Sequence, residues 1–284
     1  MRRGPIRNEA RRQRLRAAWP CSISDFAEAE QTSRGAILRL ARELGLRTRG
    51  RRPVRLSRNQ AAIREGRTIF PGSVISAKRS KRVLIDGHQN HKLGALVTKG
   101  RWAGLAIYSV TLPERETCPA SCKEWSTCYG NGMHWPRRHM LDQELHKRLD
   151  VELDMAAARH PRGFLVRLHT LGDFGRDAEQ ALPYIALWAR KMRELPELRV
   201  FGFTAWDPAG EIGTAVMALN LEFSDRCRIR FSGTERDDGF GAIVIDQPED
   251  SRHVVCPHET GKVEDCGSCG LCWTMDRTVE FVRH

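Results

Sequence analysis

Seven of the nine cysteines in this 284-residue chain fall into two short groups with the spacing of metal ligands. The first group comprises Cys118, Cys122 and Cys128, and the second comprises Cys256, Cys266, Cys269 and Cys272. Thiolates this close in sequence can converge on one metal site. Disulfides are a weaker interpretation, because the cysteine total is odd and the arginine-rich N-terminal residues do not resemble a secretory signal.

The C-terminal group has the more specific pattern. Three of its cysteines form a Cys-x2-Cys-x2-Cys run, and the fourth, Cys256, is followed directly by proline. This layout is typical of a bacterial-type [4Fe–4S] cluster. A structural zinc site is the alternative, although such sites usually combine two well-separated Cys-x-x-Cys pairs.

The first group supplies only three thiols, and two kinds of site remain open. A zinc ion could take its fourth ligand from His134 or His139. A [4Fe–4S] cluster could instead leave one iron free for a small molecule, as open metal sites do when they carry out chemistry.

Positive charge is concentrated in the first 82 residues. They hold 22 Lys and Arg against 6 Asp and Glu, whereas residues 83–284 hold 25 against 29. A net charge of +16 in one segment indicates a module that binds nucleic acid, and a solvated arginine-rich tail is the alternative. No apolar run approaches the length of a membrane span, and thiolate ligands suit the reducing cytoplasm, so we expect a cytoplasmic protein without a membrane partner.

Residues 8–48 are expected to form three short helices, over Glu9–Trp19, from Ser22, and over Arg34–Leu44 with Gly45 as the stop. The last two resemble a helix-turn-helix module, whose final helix ends here in Leu44-Gly45-Leu46; a plain three-helix packing domain is the alternative. DNA contacts are predicted for Ser33, Arg34, Arg39, Arg47, Arg49, Arg51 and Arg52. The expected organisation is a helix-turn-helix domain (1–50), a basic linker (51–82) and an α/β domain (83–284).

Strand and helix patterns alternate from about residue 90, which predicts an α/β fold with an incomplete parallel βα barrel or an open parallel sheet. The expected elements include a long helix over Arg138–Arg159 and strands over Phe164–Thr170, Arg199–Ala205 and Arg228–Ser232. Ligands of such folds bind at the carboxyl ends of the strands. The first cysteine group, His169, Gly172, Asp173 and Thr204 all occupy such positions. Arg167 and His169 alternate with apolar residues and are therefore expected on one face of the sheet.

A strand followed by a Cys-x3-Cys…Cys loop within an incomplete barrel resembles the radical S-adenosylmethionine superfamily. The resemblance implies a [4Fe–4S] cluster on Cys118, Cys122 and Cys128, whose open iron binds S-adenosylmethionine and cleaves it after reduction. It also implies an auxiliary cluster at the C-terminal cysteines and a cofactor pocket lined by His169, Gly172, Asp173 and Thr204. Five residues separate Cys122 from Cys128, where the family usually has two. The segment from Thr117 to Tyr129, together with the later segment from Arg167 to Phe174, also resembles uncharacterised cysteine-rich phage and prophage proteins.

We therefore expect a radical-SAM-like enzyme that modifies nucleic acid, with DNA and an electron donor as partners. In this interpretation His169 and Asp173 act in catalysis. Two alternatives use other chemistry: a non-enzymatic DNA-binding regulator stapled by zinc or an iron–sulfur cluster, and a zinc-dependent base-modifying transferase.

Overall fold

The computed structural model describes residues 5–19, 23–46, 60–236 and 238–283. The chain divides into two compact units, Met1–Arg55 and Leu56–Arg283.

The described part of the first unit is helical, with α1 over Pro5–Ala18, α2 over Ile23–Ala29 and α3 over Arg34–Glu43. Ser33 caps α3, because its hydroxyl accepts a hydrogen bond from the Ala36 amide at 3.2 Å. Gly45 ends the helix at φ +66°, with the 6→1 and 5→2 amide bonds of a Schellman motif. A small core holds the helices together, formed by Leu15, Ala27, Ile37, Leu40 and Ala41.

The second unit is a mixed α/β structure built on a mostly parallel sheet. Its strands are β1 (Val74–Ile75), β2 (Ile85–Asp86), β3 (Ala106–Val110), β4 (Arg138–His139), β5 (Phe164–Leu168), β6 (Leu198–Thr204), β7 (Cys227–Ser232), β8 (Gly241–Ile245), β9 (Val254–Val255) and β10 (Val279–Val282). Its helices are α4 (Gln60–Arg64), α5 (Gln143–Arg159), α6 (Ala178–Glu194), α7 (Glu211–Glu222), α8 (Cys266–Cys269) and α9 (Leu271–Thr274).

Eight strands form the main sheet in the order β2-β3-β5-β6-β7-β8-β10-β9, and every pairing except β2 with β3 is parallel. Strands β3 to β8 of this sheet advance in chain order. The last strand, β10, lies between β8 and β9, which the sequence did not predict. Strands β1 and β4 pair separately.

The two faces of the sheet pack against different parts of the chain. On one face, Val166 and Val200 of the sheet pack with side chains of α5, α6 and α7 in the larger core. On the opposite face, Ile107, Leu165 and Phe201 pack against Cys266 and Trp273 of α8 and α9. Alternation along each strand therefore gives one face to the helices and the other to the C-terminal cysteine segment.

Two parts of the second unit differ from the sequence expectation. The helix expected over Arg138–Arg159 begins only at Gln143, because Asp142 caps it and Arg138 and His139 form β4. The segment expected to be a linker packs within the second unit from residue 60 onward: Ala77 is fully buried, and the amide and hydroxyl of Thr68 bond to side chains of the cysteine loop. Within the described residues, no helix is both long enough and apolar enough to cross a bilayer.

Candidate metal centre

The first cysteine group lies on the loop that follows the carboxyl end of β3. Amides of the loop bond back to nearby carbonyls, as from Cys122 to Pro119 at 3.1 Å and from Asn131 to Cys128 at 2.9 Å. All three thiols are half-buried. Burial raises the pKa of the Cys118 thiol, and the Asp173 carboxylate and the Cys128 thiol raise it further. The three predicted ligands therefore lie on one loop, and Cys118 is close enough to Asp173 and Cys128 for their charges to affect it.

A buried ion pair supports this loop from behind. The Nε atom of Arg138 donates to Glu114 at 2.6 Å, and the two side chains are 0% and 1% exposed. Glu114 also accepts from the Thr68 hydroxyl at 2.6 Å, and Arg138 donates to the Met133 carbonyl at 2.8 Å. These contacts fix both ends of the cysteine loop. No sequence motif predicts this pair, because the two residues are 24 positions apart.

Arg115 is a second buried cation within the loop, and the sequence reasoning overlooked it. It is 1% exposed and has a positive φ of 68°, a conformation that costs energy for a residue with a β-carbon. Its Nε atom donates to the Trp125 carbonyl and one terminal nitrogen to Asn131, while the other terminal nitrogen is buried without a partner. Burial raises the pKa of the Cys128 thiol to about 11, and the Arg115 charge is among the effects that oppose the rise.

Asp173 joins the ends of two strands to the cysteine loop. Its Oδ1 atom accepts from the Thr204 hydroxyl at 2.8 Å, and its Oδ2 atom accepts from the Ala205 amide at 2.7 Å. Its own amide donates to the Thr117 hydroxyl at 3.1 Å. Burial raises the pKa of Asp173 to about 6, although these hydrogen bonds favour the carboxylate. Gly172 has a φ of +80°, and a β-carbon there would lie 2.6 Å from both Leu112 and Thr117. Asp173 and Thr204 are therefore in contact, and Gly172 directly precedes Asp173. The sequence predicted all three at the ends of strands.

His169 does not lie with them. Strand β5 ends at Leu168, so the alternation that predicted a shared face with Arg167 does not reach His169. Its Nε2 atom bonds to the Tyr184 hydroxyl of α6 at 3.1 Å, and its ring packs on Phe174. Burial lowers the pKa of His169 to about 3. The imidazole therefore packs among the aromatic side chains of Phe174 and Tyr184.

His134 and His139, the two alternatives for a fourth ligand, contact side chains outside the cysteine group. The Nε2 atom of His139 lies 3.1 Å from the Ser80 hydroxyl, and burial lowers the pKa of this imidazole to about 4. The ring of His134 packs edge-on against Trp135.

The C-terminal cysteines line one cavity, together with Trp273 and Val279. Asp265 caps α8 through the Ser268 amide at 2.7 Å, and Gly270, at φ +77°, turns the chain into α9. Cys256 reaches the cavity from the turn after β9, where its amide donates to the Glu280 carbonyl. The two short helices and this turn place all four thiols around a single space, as the spacing predicted.

Arg230 fixes the far side of this site. It is fully buried on β7 and donates to backbone carbonyls, including those of Cys272 at 2.9 Å and Met275 at 2.6 Å. Burial lowers the pKa of its guanidinium to about 10. The sequence contains one signal for this residue. Arg228 and Arg230 alternate with apolar residues along β7, which predicts that the two arginines share one face of the sheet.

The donor atoms suit a thiolate-bound metal cofactor. Among the described residues, no group of three or more His, Cys, Asp or Glu side chains is placed to hold one metal ion. The C-terminal cavity encloses about 10 Å³, so a cuboidal cluster would require the surrounding turns to move apart.

The predicted DNA-contacting residues are only partly described. Ser33 caps α3, Arg39 is exposed on α3, and the backbone of Arg34 opens that helix, with its side chain outside the described part. Arg47, Arg49, Arg51 and Arg52 lie outside the described residues.

Comparison with protein-family models, with curated proteins and with solved structures found no match to this chain.

Proposed function

We propose that this protein is an iron–sulfur enzyme of the radical S-adenosylmethionine kind that acts on nucleic acid. Cys118, Cys122 and Cys128 would hold a [4Fe–4S] cluster with one open iron. The C-terminal cysteines would hold a second cluster that is fully ligated by the protein. The observation that carries the proposal is the difference in thiol number between the two sites, with three on the loop at a strand end and four around one cavity.

The sheet order supports this proposal. Consecutive parallel strands that advance in one direction are the arrangement of βα barrels, whereas doubly wound sheets reverse their order at a switch point. An incomplete barrel would place the carboxyl ends of β3, β5 and β6 around one substrate site. Those ends carry the cysteine loop, Asp173 and Thr204.

The cluster at the first site would supply an open coordination position and an electron for cleavage of the bound cofactor. The residues of the chain would position and shield it. Asp173 accepts three hydrogen bonds, two on Oδ1 and one on Oδ2, so Oδ2 retains acceptor capacity for a ligand amine. Arg115 retains one buried donor for a ligand anion or a cluster sulfur. The Tyr129 hydroxyl donates to the Thr170 carbonyl and ties the loop to the end of β5.

The test is anaerobic purification followed by iron, sulfide and zinc analysis. We expect brown protein whose reduced spectrum changes when S-adenosylmethionine is added, and release of 5′-deoxyadenosine after dithionite. Cys122→Ala should abolish both effects and leave the C-terminal cluster in place. Cys269→Ala should lower metal content and the melting temperature, because metal binding at such sites is coupled to folding.

Cys227→Ala is the matched control, because Cys227 is a buried thiol on β7 that belongs to neither cysteine group and donates to Asn220. It should retain full metal content. Brown protein that does not cleave the cofactor would refute the enzymatic proposal.

The nucleic-acid part of the proposal depends on the charge of residues 1–82 and on the exposed Arg39 of α3. Binding to duplex DNA should weaken steeply with salt, because each phosphate contact releases counterions. Arg39→Ala should reduce the salt slope by about one unit if this arginine contacts a phosphate. Arg162→Ala, an exposed arginine of the second unit, is the control and should leave the slope unchanged.

The second candidate is a DNA-binding regulator whose fold is stabilised by zinc or an iron–sulfur cluster. It is favoured because the net positive charge lies in the first 82 residues. It predicts salt-dependent DNA binding without cofactor cleavage. Colourless protein with stoichiometric zinc would support a zinc site, and base transfer to DNA by that protein would support the zinc-dependent transferase.

A further inference from the structure

Arg167 differs from the other arginines on the described strands. Arg138, Arg199, Arg228 and Arg230 each donate to a carboxylate or to backbone carbonyls. Among the described residues, the Arg167 side chain donates no hydrogen bond and has no ion-pair partner, and its Nε atom is buried without a partner. The guanidinium carbon lies 6.0 Å from the centroid of the Phe203 ring.

The position of Arg167 on the sheet places it between the two cysteine sites. In the strand register it pairs with Ser109 of β3 and Phe201 of β6. Leu165, two residues earlier on the same face, packs with Phe201 against the C-terminal cysteine segment. The next positions along β3 and β5 lead to the carboxyl ends, where the first cysteine loop begins.

We propose that Arg167 binds an oxyanion of the substrate, a phosphate or a carboxylate, and holds that substrate on the sheet face between the two cysteine sites. A planar guanidinium presents paired donors that match either group. The side chain is half-buried, so a ligand can reach it. A substrate that covered the guanidinium without bonding to it would leave a desolvated cation unpaired, which is unfavourable. The inference deepens the proposed function, since it places the substrate beside the open position of the first site.

Protection from phenylglyoxal, mapped by mass spectrometry on the full chain, tests the site without a mutation. We expect inorganic phosphate to slow modification of Arg167 several-fold and to leave the exposed Arg162 unchanged. Protection by acetate at the same ionic strength would identify a carboxylate as an equally suitable ligand. Failure of both anions to protect Arg167, or equal protection of both arginines, would overturn the inference.

A variant series provides an independent measurement. Phosphate should raise the melting temperature of the wild type and of Arg228→Met, whose arginine is already paired with Asp276 at 2.8 Å. It should raise that of Arg167→Met much less, and that of Arg167→Lys to an intermediate extent. The basic N-terminal residues are common to all four proteins, so their phosphate binding cancels. An equal phosphate effect in Arg167→Met would overturn the inference.

Both measurements should be made on metal-free and metal-loaded protein. Phosphate protection in a protein that proves to hold zinc would retain the oxyanion site and refute the radical mechanism. Cofactor cleavage without protection of Arg167 would support the radical mechanism and refute the oxyanion site.

Discussion

The buried pair between Glu114 and Arg138 provides a sharp test of how the first cysteine loop is held. Glu114→Gln removes the charge that balances Arg138 and leaves an amide that can place donors against the guanidinium. Neither side chain reaches water, since they are 1% and 0% exposed. Removing one partner of such a pair costs about 3–5 kcal/mol, because the remaining charge stays buried without compensation.

Guanidinium unfolding, followed by tryptophan fluorescence, measures this cost. Six of the seven tryptophans lie in the second unit, so the signal reports mainly on that unit. With an m-value of ~5 kcal/mol per molar guanidinium, the midpoint should fall by about 0.6–1 M. The full chain should also lose metal at the first site before the second, since only the first loop depends on the pair.

Glu222→Gln is the matched control. Glu222 pairs with Arg193 at 2.6 Å on the surface, where both side chains are more than 40% exposed. Exposed pairs contribute about 0.2–1 kcal/mol, so its midpoint should change by ~0.2 M or less. A Glu114→Gln protein with the same small change would refute the argument that this pair is desolvated.

Three further predictions concern individual residues. Gly172→Ala should lower the melting temperature more than Gly100→Ala, because both have positive φ but only the first would bring a β-carbon within 2.6 Å of neighbours; equal effects would contradict the predicted clash. Since burial lowers the pKa of His169 to about 3, from an ordinary 6.5, the second unit should lose stability as the pH falls from 6.5 towards 3, and denaturation of His169→Gln should show a shallower loss. Hydrogen bonds from Arg14 and then Arg11 lower the pKa of Glu30 from 4.5 to about 2, so this carboxylate should stabilise the first unit above pH 4.5 and cease to do so towards pH 2; hydrogen exchange of residues 23–46 should then differ between wild type and Glu30→Gln at pH 5 and converge at lower pH.

Local signals in the sequence located most of the elements. The apolar runs of β5, β6 and β7 and the amphipathic pattern of α3 came within one or two residues of the observed bounds. The stop at Gly45 was predicted for the right reason, since the glycine adopts a positive φ. These features are set by residues close together in the chain, which is the information that periodicity and capping rules use.

Features decided by distant residues were not predictable in this way. Strand β4 exists because Arg138 and His139 pair with β1, more than sixty residues earlier. The burial of Arg138 depends on Glu114, and the separation of His169 from Arg167 depends on where β5 ends. For the candidate site, spacing predicted that the four C-terminal cysteines converge, and they line one cavity. It did not predict the buried cations Arg115 and Arg230.

The insertion of β10 between β8 and β9 imposes an order of events on a growing polypeptide. Strand β9 and all four C-terminal cysteines leave the ribosome before Val279–Val282, the strand that must separate β9 from β8. Until then the edge of β8 has no neighbour and can pair wrongly with another chain. Val279 also lines the cysteine cavity, so the thiols stay accessible to an incoming metal until the strand arrives and closes over them. Metal loading and completion of the sheet are thus linked, because a metal reaches the thiols most easily before β10 is in place.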